Sequence, residues 1–189
     1  MAALSTSALK AMSAAQVKAL TTDQLVALTT DQAAGLGKDF VAALTSAQLT
    51  AMEDDDVGKL STSAVQALSN AALAGLTTAQ VQGLGTAQVA ALTDVQIKQM
   101  STANIQALSS DQAKVLKQAQ LGALTSAQVA AMDTVDLAQL NSAQIGALSA
   151  LGLAGLSTTQ IANLGTKQVA ALTADQLNAL STNQIVAMT

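Results

Sequence analysis

Four acids in succession, Glu53, Asp54, Asp55 and Asp56, form the only dense cluster of charge in this sequence. Carboxylate oxygens suit a hard cation such as Ca²⁺, and paired carboxylates can serve acid–base catalysis. Two features weaken both readings. The spacing D-x-[DN]-x-[DN]-G of a calcium loop is absent, and the matching stretch 80 residues further on keeps only Asp133 and Asp136. The other side chains of chemical interest are hydroxyls. Thr6, Thr22, Thr30, Thr62, Thr78, Thr86, Thr102, Thr134, Thr158, Thr166 and Thr182 share one phase of a repeat, so a regular fold would align them in an ice-binding type of face. Lys38, Asp54, Asn70, Asp94 and Gln118 interrupt that row. With no His and no Cys there is no thiol or imidazole to build a nucleophilic site or a disulfide. The glycines, including LGT at residues 84–86 and 164–166, do not form a phosphate-binding loop. We therefore expect no catalytic, cofactor-binding or metal residues, no cofactor, and no enzyme.

These residues are positioned by a strict octad. Every eighth residue from Leu4 to Met188 is Leu or Met, 24 positions without an insertion. Counting each octad from the residue after that leucine, residues 21–28 read TTDQLVAL, with Thr21 at position 1 and Leu28 at position 8. Thr21 and Gln24 make the S/T-x-x-Q pattern of a capping box: the hydroxyl accepts from the N3 backbone, and the amide reaches back to the N-cap N–H. Leu20 and Leu25 have the spacing of a hydrophobic staple. Position 1 is Ser or Thr in 17 of 24 octads, Asp133 and Asn141 are further caps, and Glu53 and Lys117 fit poorly. Position 7 is mostly Ala or Gly, which implies a close neighbour. All 12 acids lie at positions 1 to 4, and five of the eight lysines at positions 6 and 7. That polarity is what a helix dipole favours.

The pattern predicts an all-α solenoid of very short N-capped helices, one per octad. One continuous helix is the competing reading, but eight residues at roughly 100° each would wind the leucine stripe around the rod by about 80° per repeat. A β-helix would send positions 5 and 8 to opposite faces. Helices this short do not survive alone in water, so neighbours must hold them.

A longer period overlies the octad. Residues 44–52 read LTSAQLTAM and residues 124–132 LTSAQVAAM, and Gly75 and Gly85 match Gly155 and Gly165. We expect one repeat array over residues 1–189, with super-repeat blocks at about 44–123 and 124–189 and a partial block at 1–43. Both ends resemble the middle, so the array is expected either to continue into a longer one or to join end to end. The net charge of −4, without a phosphate-binding surface, argues against nucleic acid. No apolar run approaches the roughly 18–20 residues that span a bilayer.

Strings such as LTTDQ (residues 20–24), LTTAQ (76–80) and LTSAQ (44–48 and 124–128) resemble the "LTTAQVAAL" octapeptide arrays of very large secreted or surface proteins of Gram-negative bacteria. The resemblance runs over the whole chain. It implies an extracellular or cell-surface location and a spacer, stalk or display role, with no catalytic residues. The alternative is a binding module that uses the polar Thr/Ser/Gln face for protein, glycan or ice. Small periplasmic chaperones share the LTxxQ string, but their long helices and basic cradle are missing here.

Overall fold

A computed structural model describes residues 1–188; Thr189, which opens the last octad, lies outside the described residues. Those residues form 23 helices of four to six residues, and no strand occurs among them. We number the helices so that each carries the number of its octad, from α1 (Thr6–Lys10) to α23 (Thr182–Ala187). The solenoid of short helices is thus the observed fold class.

The local logic recurs in most octads. In α6 (Ser46–Ala51) the cap Thr45 is extended, at φ −80° and ψ 164°, and its hydroxyl accepts from Gln48 N–H. Leu49 N–H then bonds Thr45 O at 3.0 Å, and Met52 N–H bonds Leu49 O at 3.1 Å. Met52 itself is extended again, at φ −65° and ψ 144°, so the chain leaves the helix at position 8 and re-enters it after position 1. Thr77 and Ser101 are likewise extended caps, which excludes an unbroken rod through them. Among the described residues none has a positive φ.

Asp133 departs from expectation. It makes no capping bond, whereas Asn141 accepts from Gln144 N–H. The N3 residue of that octad is Asp136, so a capping carboxylate would stand beside a second one, and Asp133 instead faces solvent.

Chain contacts group residues Met1–Met100 and Ser101–Thr189 into two compact units. In the first, the principal packing pairs are three octads apart: α4 (Thr30–Ala34) lies on α7 (Asp54–Lys59), and α5 (Lys38–Ala43) on α8 (Thr62–Ala67). The second unit follows the same rule, α16 (Ser126–Ala131) packing on α19 (Ala150–Ala154) and α19 on α22 (Ala174–Ala179). Positions 5 and 8 fill each core: Val57, Val65, Leu73, Val81 and Val89 are fully buried, as are Val129, Ile145 and Leu153. Burying such a side chain is worth about 1.5–3 kcal/mol, which stacking supplies and an isolated turn cannot.

The close approach inferred for position 7 is present. A Cβ on Gly155 would lie 2.7 Å from the Ser126 carbonyl oxygen, three octads back, and one on Gly35 would lie 2.8 Å from Thr6 Cγ2. At position 6, a Cβ on Gly58 would lie 2.6 Å from Gly83 O.

Candidate functional site

The most specific arrangement in the molecule is built from the position-4 glutamines. Gln80 is fully buried. Its Oε1 accepts the N-cap N–H of Thr77 at 3.0 Å, completing the capping box, while its Nε2 donates to Leu49 O at 2.8 Å and Met52 O at 2.9 Å. Those carbonyls belong to positions 5 and 8 of the octad four repeats earlier. A helix C-terminus leaves carbonyls without intrahelical donors, and here the next turn of the solenoid supplies the donor. One amide therefore starts its own helix and closes an older one.

The arrangement recurs in both units. In the first, Gln32, Gln48, Gln88 and Gln96 donate to the position-8 carbonyls of Leu4, Leu20, Leu60 and Leu68 at 2.6, 2.8, 2.6 and 3.0 Å. In the second, Gln144, Gln160, Gln168, Gln176 and Gln184 reach Leu116, Met132, Leu140, Leu148 and Leu156 at 2.8, 2.8, 2.6, 2.7 and 2.6 Å. At Gly85, Lys117 and Gly165, where no hydroxyl caps the helix, the glutamine half of the box persists: Gln88, Gln120 and Gln168 accept those N–H groups at 2.6, 2.7 and 2.8 Å.

Sequence reasoning found the capping half of this role and missed the bridging half. The signal was available. Of the 23 residues at position 4, 15 are Gln and none is Glu, although either completes a capping box. Only the amide can also donate.

The acidic octad interrupts the ladder. Glu53, Asp54 and Asp55 are exposed, whereas Asp56, in the glutamine position, is 2 % exposed. It bonds the Thr30 hydroxyl, and its Oδ2 has no partner. Burial pushes its carboxyl above the usual range; the Thr30 bond opposes this and Asp55 adds to it. The duplicate repeats the contact, Ser110 Oγ donating to Asp136 at 2.5 Å. The four acids do not converge, and among the described residues no three carboxylates stand close enough to share an ion.

Hydroxyls at position 2 are mostly exposed, but several are engaged with the next turn. Thr30 and Ser110 bond the buried aspartates, and Ser142 Oγ donates to Lys167 O at 3.0 Å. Position 6 bridges in the same direction: Thr50 Oγ1 donates to Gly75 O at 2.6 Å and Gln66 Nε2 to Ala91 O at 2.8 Å. The described surface clefts are open ones, such as that of about 370 Å³ lined by Gln106, Met132, Asp133 and Gln160. Its one titratable group, Asp133, has no second acid or base beside it to share a proton transfer.

Fold and ladder together define a class: a helical octapeptide-repeat solenoid whose turns are fastened by side-chain-to-backbone bonds. The sequence model of the ALTTAQ repeat matches residues 1–38, 62–94, 94–126, 129–166 and 162–189, and the chain belongs to that repeat family. Comparison with curated proteins gives no match.

Proposed function

We propose that the chain is a non-catalytic structural segment, a spacer or display scaffold within a larger secreted or surface protein of a bacterium. The glutamine ladder carries this reading. Its polar groups are consumed in holding one turn to the next, and the positions left on the outside vary freely in chemistry. Position 3, for instance, is Asp23, Ala79, Val95, Leu151 and Lys167 in different octads. A binding face would need its outer residues to agree with one another. The position-2 hydroxyls do not supply such agreement, since Thr30, Ser110 and Ser142 are spent on the fold itself.

The test is a variant carrying Thr158→Ala, Thr166→Ala and Thr182→Ala, all exposed positions. A spacer keeps its helix content, and the parent protein keeps its attachment to surfaces or ice. A folded variant that loses attachment, or loses ice shaping, overturns the spacer reading in favour of the binding module.

A further inference from the structure

The glutamine ladder is missing over one whole turn inside the first unit, and we propose that this turn is a joint in the array, released or fastened by a proton on Asp56. Helices three octads apart pack together, so α7, α8 and α9 (Asn70–Ala74) make up one turn. Their position-4 residues are Asp56, Ala64 and Ala72, all buried, and none carries an amide donor. The register of the ladder pairs them with the position-8 carbonyls 28 residues back, those of Leu28, Leu36 and Leu44. Among the described residues no hydrogen bond reaches these three carbonyls. The following turn is the contrast. There α10 (Thr78–Gly83), α11 (Thr86–Ala91) and α12 (Asp94–Gln99) carry Gln80, Gln88 and Gln96, which bond the carbonyls of Met52, Leu60 and Leu68 at 2.9, 2.6 and 3.0 Å.

The unlatched turn is held chiefly by packing. Val57, Val65 and Leu73 are fully buried in it, and Thr50 Oγ1 donates across the seam to Gly75 O at 2.6 Å. Leu28, Leu36 and Leu44 are themselves buried. A buried carbonyl without a donor is costly, and opening the seam returns it to water. This turn is therefore the one that opens most easily.

Asp56 is the titratable member of the seam. One of its oxygens bonds the Thr30 hydroxyl, and the other, Oδ2, is enclosed and has no partner. A proton on Oδ2 removes the buried charge and supplies an O–H donor where the other rungs have an amide, with Leu28 O as the acceptor in register. Asn104, of the same length, is 2 % exposed at position 4, so the fold accommodates a short rung. The charged groups nearby are few. Glu53, Asp54, Asp55 and Lys59 of its own octad are exposed, as is Asp31 on α4, and α10 carries none. Burial raises the carboxyl above its ordinary range, with Asp55 adding to the effect. The seam is thus loosest above that raised value and tightens as pH falls through it.

Native-state hydrogen exchange on the unaltered chain reads the two turns separately. The N–H groups of Val57, Val65 and Leu73 bond Glu53, Ser61 and Ser69 O, and those of Val81, Val89 and Ile97 bond Thr77, Gly85 and Thr93 O. At neutral pH, after correction for intrinsic rates, the first three should exchange about tenfold or more faster than the second three. The excess at Val57 should shrink as pH falls toward about 4. Asp56→Asn supplies a permanent donor, and should slow Val57 exchange at neutral pH and abolish its pH dependence. Asp55→Asn, at an exposed neighbour, should leave that dependence in place. Equal protection of the two turns at neutral pH overturns the proposal. So does a pH-independent excess at Val57, or a folded Asp56→Asn chain that still exchanges there as fast as the unaltered one.

Discussion

Changing Gln80 to Glu exchanges a single heavy atom, the amide nitrogen for an oxygen, and should separate the two jobs of the position-4 side chain. The carboxylate can still accept the Thr77 N–H that Gln80 accepts at 3.0 Å, so the capping box stays intact. What disappears is the donor to Leu49 O and Met52 O, at 2.8 and 2.9 Å. Two lost bonds at about 0.5–1.5 kcal/mol each give a cost of about 1–3 kcal/mol. A buried carboxylate facing carbonyls adds desolvation and repulsion, which raise its pKa above the unfolded value of about 4.3. The sign follows. The ionised form is penalised in the fold, so the full cost is present above the folded pKa. It shrinks as pH falls through that value and is smallest below about 4.3, where the neutral acid can donate one bond. Repeat arrays need not unfold in two states, so the assay is native-state hydrogen exchange in α6 and α10 (Thr78–Gly83), read against pH. The same change at exposed Gln24, which makes only its capping bonds, should cost under about 0.5 kcal/mol. Equal costs at the two sites, or a pH-independent cost at Gln80, would refute the two-job account.

Other perturbations follow from the same geometry. Asp56→Asn should stabilise the fold at neutral pH, because burial raises the pKa of Asp56 and makes its ionised form unfavourable. The gain should vanish in acid melts below the unfolded pKa of about 3.9. Leu92→Ala, at a residue 3 % exposed, should cost about 2–5 kcal/mol in urea titrations. Thr93→Ala removes the oxygen that accepts Gln96 N–H at 3.1 Å and should cost about 0.5–2 kcal/mol. Gly58→Ala would set a Cβ 2.6 Å from Gly83 O and should cost about 1–3 kcal/mol by thermal melt. Gly37→Ala meets only Lys10 Cγ at 3.8 Å and should change stability by under about 0.5 kcal/mol.

Much of the candidate site was legible from residue types. Ser13 with Gln16, and Thr45 with Gln48, announced capping boxes that the structure contains, because a cap involves residues only three apart. The small residues at position 7 announced a close neighbour without identifying it. That neighbour is position 2 of the turn before, as Gly155 against Ser126 and Gly35 against Thr6 make plain. Asp56 read as one of four equivalent acids. Only the packed structure separates it from Asp54 and Asp55, since burial depends on which residues face the previous turn.

The sequence by itself determined the unit: where each helix begins, where it stops, and which two positions turn inward. Those are consequences of hydrogen bonds and side-chain volumes within eight residues. Tertiary structure decided how units meet, with helices three octads apart in contact and glutamines such as Gln80 reaching the octad four repeats back. The physical reason is distance along the chain. The bend per octad sums small backbone angles at positions 8 and 1, and no pairwise spacing in the sequence encodes that sum. Until it is known, the donor on Gln80 and the open carbonyl of Met52 are 28 residues apart with nothing to connect them.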